Sequence, residues 1–372
     1  MIKVMNIISD TNIGGAGKVL INYLKYCDRE NFEVSVLLPR CSLLKAPLEE
    51  LGTRVFEADG IADRSFDRSA IRELKQRIRE EKPDIVHTHG SLSGRIAARQ
   101  CGCRVIYTRH SAFPVKGYLK HGPGRWLNKW VNHHYADRII AVSPAAAKNL
   151  TDAGVNPSLI DTMMNGVDPV QRATPEECAA LRKHYGIPDG CFTVGILARI
   201  EDYKGHTDIL DAIQLIRDSG REIRLIIAGT GSYEDAVRQH CSALGLDKIV
   251  CFPGFIRDVA PVLSILDLQL NASWGTETSS LSVLEGFSMA LPAVVSDYGG
   301  NPCLVEEGVN GFLFPARDPG ALADRIIRLM DNPALLEKMG TEALRIYRER
   351  FTGEAFARRI DAIYRKVLAE KK

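Results

Sequence analysis

The sequence predicts an α/β protein of two doubly wound parallel-sheet domains in tandem, and three observations carry that prediction. Short apolar runs ending in Gly, Ser or His recur along the chain, helix-length amphipathic segments lie between them, and the alternation lapses once and then restarts. In the first half the runs Val4–Ile8, Phe32–Leu38, Ile85–His87, Val105–Thr108 and Ile139–Val142 read as strands buried in a parallel sheet. Gly17–Tyr26, Ser69–Glu81 and Ser93–Gln100 read as the helices that connect them. Asn165–Pro188 is rich in prolines and turn residues and reads as a linker with one short helix, which puts the boundary near Asp168. Beyond it, Val194–Leu197, Leu225–Ala228, Ile249–Phe252, Leu266–Leu270, Ala293–Val295 and Phe312–Phe314 repeat the strand pattern. The tail Thr352–Lys372 sets Phe356, Ile360, Ile363, Tyr364 and Val367 at helical spacing, one apolar stripe on a long last helix. The expected division is 1–168, 169–350 and a C-terminal helix 351–372.

Length and composition agree with this plan. The 372 residues leave room for two domains of about 100 to 200 residues each. Lys and Arg number 48 against 46 Asp and Glu, a net charge of +2, which argues against a dedicated nucleic-acid binder. The nine cysteines are scattered without a CxxC pair and read as reduced thiols, so a cytoplasmic setting is expected. The start MIKVMNIIS lacks the pattern of a secretory signal, and no apolar run approaches the roughly 20 residues of a membrane span. At most the protein is expected to touch a membrane from outside.

Ligands of doubly wound sheets bind at the carboxyl ends of the strands, so the residues there are the candidates. The loop Asp10–Lys18 follows the first strand with Gly14, Gly15 and Gly17 and opens a helix, where backbone N–H groups favour an anion; it matches neither the P-loop nor the GxGxxG spacing, and a tight turn with no ligand remains open. Arg199 closes a strand, with Lys204-Gly205 five residues on, a pair suited to a diphosphate if not simply solvated. In Glu277-Thr-Ser-Ser-Leu-Ser-Val-Leu-Glu285 the serines mark a helix start, leaving Glu277 in the loop and Glu285 one to two turns inside. The same stretch also fits a capping box, Ser282 with Glu285.

Together these residues resemble family 4 of the retaining glycosyltransferases. The resemblance rests on Glu277-x7-Glu285, Arg199 with Lys204-Gly205, Gly14-Gly15, Asp84-Ile-Val-His-Thr-His-Gly90, Tyr107-Thr-Arg-His110, Asn165-Gly-Val-Asp168, Gly299-Gly-Asn-Pro302 and Val309-Asn-Gly-Phe-Leu313, in order along nearly the whole chain. It implies the GT-B fold, two Rossmann-like domains facing across a cleft with the C-terminal helix returning to the first. It implies a nucleotide-sugar donor, expected to be a UDP-sugar, and a glycan, glycolipid or other hydroxyl acceptor in bacterial surface polysaccharide synthesis. Arg199 and Lys204 would neutralise the diphosphate, Glu285 bind the ribose and Glu277 contact the sugar. Amides around Ser279, Ser280 and Leu281 would add donors, Gly15 would approach the phosphates, and His110 would contact the sugar near the reacting centre. Cations and dipoles placed there can stabilise the departing diphosphate without a metal, and the sequence has no Asp-x-Asp pair. No cofactor is therefore expected. Thr278-Ser279 after the first glutamate and Gly17-Lys18 in the glycine loop depart from the family's usual residues, which bears on the transferred sugar and the acceptor. His87 and His89 suggest a metal pair but show no third ligand. The alternatives are a sugar-nucleotide epimerase of the same fold and an inactive binding subunit.

The segment from Gly90 to Ala136 holds Arg95, Arg99, Arg104, Arg109, Lys116, Lys120, Arg125 and Lys129 and no Asp or Glu. Such a stretch suits an anionic acceptor or weak contact with an anionic membrane, through Arg95, Arg99, Lys116, Lys120, Arg125 and Lys129. Trp126, Leu127, Trp130 and Val131 lie within it at helical spacing, and the expectation for the tryptophans is a face packed into the core.

Overall fold

The structure, a computed structural model, describes residues 1–370 and resolves them into two compact units. The first comprises Met1–Val167 together with the chain from Phe351 onward; the second is Asp168–Arg350. Each is built on one parallel sheet with helices on its faces, so the expected pair of Rossmann-like α/β domains is what the chain forms.

In the first unit the strands are β1 (Ile2–Ile8), β2 (Phe32–Pro39), β3 (Arg54–Ala58), β4 (Ile85–His89), β5 (Arg104–Arg109), β6 (Arg138–Ala141) and β7 (Ile160–Thr162), in the order β3-β2-β1-β4-β5-β6-β7. The chain winds outward from β1 in one direction, then returns and winds the other way from β4, so the reversal falls between β1 and β4. Ile8 lies opposite His89, and His89 opposite Thr108. β3 and β7 escape the apolar-run signal for physical reasons. β3 reads Arg-Val-Phe-Glu-Ala, with Arg54 paired to Glu81 at 2.8 Å and also stacked 4.8 Å over Phe56. β7 is a three-residue edge, Ile-Asp-Thr, whose Asp161 accepts from Arg138 at 2.6 and 2.7 Å.

The second unit repeats the plan with β8 (Phe192–Leu197), β9 (Ile223–Ala228), β10 (Val250–Gly254), β11 (Leu268–Asn271), β12 (Ala293–Ser296) and β13 (Gly311–Phe314), ordered β10-β9-β8-β11-β12-β13. Its reversal lies between β8 and β11. The core joins Val194, Leu225, Ile227, Leu268, Leu270 and Phe312 of the strands to Ile209, Ile213 and Ile216 of the helix His206–Asp218.

The last helix, Gly353–Ala369, belongs to the first unit. Its predicted stripe is buried at Phe356, Ile360, Ile363, Tyr364 and Val367. The Tyr364 ring meets Tyr23, Phe32 and His87 edge-on at 5.7 to 5.9 Å between centroids.

Two expectations for the acid-free segment fail. Trp126 is 67% exposed and Trp130 44%, because the helix Gly122–His134 turns Asn128 and Asn132 inward instead of its tryptophans. Arg95 and Arg99 are not surface cations. Arg95 is buried over the Tyr107 ring and donates to Asn132, and Arg99 is paired with Asp137 at 3.2 Å. Asp137 lies one residue past the segment and also takes Arg104, so local charge is balanced from outside the stretch. Lys116, Lys120, Arg125 and Lys129 remain exposed.

Candidate active site

At the reversal of the second sheet the chain leaves β8 through Arg199, makes a short 3-10 turn at Asp202–Lys204 and enters the helix His206–Asp218 through Gly205. Gly205 sits at φ 72°, and a Cβ there would stand 2.2 Å from the Ala272 carbonyl oxygen, so this approach to the end of β11 admits glycine only. The approach serves Lys204. Its Nζ donates to Glu277 Oε2 at 2.9 Å, with the lysine side chain 15% exposed and the glutamate 8%. The same oxygen accepts from Asn271 Nδ2 and Ser273 Oγ, each at 3.1 Å. Burial pushes the Glu277 pKa up most strongly, but the Lys204 charge and these hydrogen bonds outweigh it and hold it below the usual carboxylate range. The result is an ionised carboxylate fixed beside an ammonium that has three donors, only one of them spent on Glu277.

The glycines of Gly299-Gly300 support this loop from behind. Gly300 N donates to Glu277 O at 3.1 Å, and a Cβ on Gly300 would overlap the Thr278 carbonyl oxygen at 1.6 Å. Asn301 Nδ2 donates to Ser296 Oγ, which donates to Ser273 O at 2.6 Å, and Tyr298 donates to Gly275 O at 2.9 Å. Thr276 through Ser280 are consequently all buried although polar. The helix then begins at Leu281 with Ser280 as its N-cap, so Glu285 is its fifth residue. The capping-box alternative is not formed: Ser282 lies inside the helix, where it cannot act as the cap. Arg199 is exposed and its Nη2 donates to the Tyr203 hydroxyl at 3.2 Å.

The reversal of the first sheet holds a different group. Gly14 precedes the helix Gly15–Tyr26, and Gly15 is exposed with open space on the side where a Cβ would project. The loop before it is tied to neighbouring strand ends by Thr11 Oγ1 to Asp63 at 2.6 Å and by Ser42 Oγ to Asp10 O at 2.7 Å. Beside it, β4 and β5 bring three imidazoles together. His87 stacks on His89 at 4.6 Å between centroids, and His89 on His110 at 5.2 Å. His87 is held at both ring nitrogens, by the Tyr364 hydroxyl at 2.8 Å and Thr108 Oγ1 at 2.6 Å. His89 Nε2 meets Asn6 Oδ1 at 3.1 Å, and because that oxygen only accepts, Nε2 carries the proton and Nδ1 is the acceptor. His110 Nε2, 2.9 Å from His89 Nδ1, is therefore the donor. Burial lowers the pKa of His110 to about 4, and burial together with the His110 charge lowers His87 to about 3, so the stack is neutral at pH 7. Among the described residues no cluster of three or more His, Cys, Asp or Glu has a metal-binding arrangement; both rings of the His87/His89 pair are already engaged at both nitrogens.

The sequence reading missed Asn271, Ser273 and Tyr364. Asn271 ends β11 and Ser273 follows two residues later in Leu-Gln-Leu-Asn-Ala-Ser, and polar residues at the close of a buried strand were the available signal. Tyr364 gave none beyond membership of an apolar stripe.

Residues 13–171 match glycosyltransferase family 4, and residues 191–332 match glycosyl transferases group 1. EpsD of Bacillus subtilis (strain 168), whose name assigns it to the glycosyltransferases, is 30% identical over 288 residues, 74% of either chain. The chain belongs to the group 1 glycosyltransferases. This glycosyltransferase is also 24% identical, over 90% of its length and 89% of the other's, to the UDP-Gal:alpha-D-GlcNAc-diphosphoundecaprenol alpha-1,3-galactosyltransferase of Escherichia coli. Its fold matches that of Anabaena Alr3699/HepE in complex with UDP, with a TM-score of 0.83 at 23% identity over 98% of this chain and 100% of that one. A second structure of HepE, in complex with UDP-glucose, matches with a TM-score of 0.84 at 22% identity over the same shares. The GT-B architecture of the glycosyltransferase is thus that of its structural neighbours.

Proposed function

We propose that this glycosyltransferase moves a sugar from a UDP-sugar to a hydroxyl of a glycan or lipid-linked acceptor, with retention of anomeric configuration and without a metal ion, in the assembly of a bacterial surface polysaccharide. The buried Lys204–Glu277 pair at the reversal of the second sheet carries the reading. Charge develops on the diphosphate as the sugar leaves, and a cation fixed in a loop that excludes water opposes that charge without reorganising. Arg199, exposed on the same loop, supplies the second cation, and charge-assisted bonds to phosphate are the strong kind. Glu277 accepts from the sugar hydroxyls while keeping Lys204 in place. Glu285 takes the ribose, and the amides at Ser279, Ser280 and Leu281 add donors. Gly15 and His110 keep the roles the resemblance gives them, phosphate approach and sugar contact. The donor class is supported by HepE, solved with UDP and with UDP-glucose, and the acceptor class by the diphosphoundecaprenol-linked substrate in the name of the E. coli relative.

The test is a melting-temperature screen of the whole protein against UDP-, GDP- and ADP-sugars, followed by turnover in excess EDTA and nuclear magnetic resonance of the product anomer. A ligand at 100 times its dissociation constant adds about 2.7 kcal/mol, which gives a clear shift. A response to UDP-sugars, activity that survives chelation and a product with the donor's anomeric configuration are expected. Activity lost to EDTA and restored by Mn²⁺ would refute metal independence, and an inverted product would refute retention.

A further inference from the structure

The helix Gly122–His134 is inside-out. Its buried side is polar: Asn128 donates to Ala153 O at 2.7 Å, Asn132 donates to Asn128 O at 2.8 Å, and Asn132 Oδ1 accepts from the buried Arg95 at 3.2 Å. Its solvent side carries Trp126, Leu127 and Trp130 with Arg125 and Lys129 among them. The stretch just before it adds exposed Phe113 and Tyr118 beside exposed Lys116 and Lys120. Among the described residues eleven large hydrophobics are exposed, and five of them fall in the 18 residues from Phe113 to Trp130. Exposed apolar side chains scattered singly are ordinary, whereas a cluster of this kind marks an interaction surface.

The charge around the cluster selects the partner. No acidic residue occurs between Gly90 and Ala136. Asp137 at the end of the segment is neutralised by Arg99 and Arg104, and Asp152, near the Ala153 carbonyl that Asn128 bonds, is paired with Lys148 at 2.8 Å. Among the described residues Lys116, Lys120, Arg125 and Lys129 are left without an acidic partner, set among five aromatic or aliphatic side chains. Tryptophan and tyrosine place an apolar body in the acyl boundary and a polar tip among headgroups, while Lys and Arg lay their stems along apolar surface and keep their charges in water. Both preferences are met at once by the interfacial layer of an anionic bilayer.

We infer that Phe113–Trp130 is a membrane-docking platform, which seats Trp126, Trp130 and their neighbours in the headgroup layer of an anionic lipid surface. The inference stands on exposure and charge alone and is independent of the donor assignment. The platform begins three residues after His110, so docking holds that end of β5 near the lipid surface.

The experiment uses the full chain with vesicles of phosphatidylcholine alone or mixed with phosphatidylglycerol, read by co-sedimentation and tryptophan emission. Wild-type protein should bind the mixed vesicles with a blue-shifted emission and release them at high salt. W126A/W130A should bind at least about tenfold more weakly, and K116Q/K120Q/R125Q/K129Q, which keeps both tryptophans, should lose the preference for phosphatidylglycerol. All the altered side chains are exposed, so melting temperatures should stay unchanged. Absence of wild-type binding, or equal binding by wild type and both variants, overturns the inference. A lipid-free dimer that W126A/W130A dissolves would also overturn it, by giving the face to a second copy.

Discussion

Lys204 and Glu277 are 73 residues apart in sequence, and the roles given them by resemblance, phosphate and sugar, treat them as separate groups. In the structure each is the other's partner. Lys204→Met should therefore do more than remove a phosphate contact: it leaves Glu277 buried without its cation, at a cost of about 3 to 5 kcal/mol. The pH dependence has a definite sign. Glu277 with its folded pKa lowered contributes stability above the unfolded value near 4.5 and loses it as pH falls below that value. Without Lys204, burial raises that pKa, so the damage is largest at pH 7 and shrinks toward pH 4.5. Glu277→Gln added to Lys204→Met should restore part of the lost stability, because the amide is neutral. Urea unfolding of the two single variants and the double variant measures this, and simple additivity of the two effects would show that the residues do not act as a pair. Arg199→Ala is exposed and should lower UDP affinity, by about 1.5 to 3 kcal/mol, with no such loss of stability.

At the scale of elements, β4 and β5 concentrate His87, His89 and His110 in one stack, and the proton cost belongs to the whole stack. An exposed imidazole in the unfolded chain titrates near 6.5, whereas burial holds His110 near 4, His87 near 3 and His89 well below its usual value. Between pH 6.5 and about 4 the unfolded chain binds more protons than the folded one, so stability falls with pH by up to about 1.4 kcal/mol per unit for each histidine. Urea unfolding of the first unit from pH 7 to pH 5 should show that decline. A flat profile would mean that the stack is not excluded from solvent. Elements also mark where the sequence was legible. The buried strands β1, β2, β8 and β9 announce themselves as apolar runs, while β3 and β7 are short, charged edges stabilised by Arg54–Glu81 and Arg138–Asp161, pairings with no local trace. Helical spacing put Trp126 and Trp130 on one face correctly, but periodicity cannot say whether a face points inward. That was decided by Asn128 and Asn132, whose bonds to Ala153 and Arg95 lie outside the helix. The placement of Glu277 in a loop and Glu285 inside a helix was legible because the serines between them mark a helix start; Tyr364 was not, because its partner His87 is 277 residues away.

For the molecule as a whole, the second unit is an insertion in the first. The chain crosses at Val167 and again at Phe351, and the two passages are tied side by side: Val167 N donates to Phe351 O at 3.0 Å and Gly353 N to Val167 O at 2.9 Å. A chain ending at Arg350 would keep the second unit whole but strip Phe356, Ile360, Tyr364 and Val367 from the first, each a buried side chain whose loss costs about 2 to 5 kcal/mol. Together these amount to about 8 to 20 kcal/mol, as much as the roughly 5 to 15 kcal/mol that hold a domain folded. Limited proteolysis of that truncated protein should yield a protected fragment close to residues 168–350 and digest the rest; survival of the N-terminal fragment would show that the last helix is dispensable. Tyr23 Oη donates to Asp361 at 2.9 Å across 338 residues of chain, which fixes the order of events during synthesis. The seven strands of the first sheet are made before the inserted unit, whereas Tyr364, which closes over Tyr23, Phe32 and His87, is made only after it. The inserted unit is therefore fully synthesised before the unit that encloses it in sequence, and until Tyr364 is added the first sheet carries an open apolar flank that a chaperone can shield.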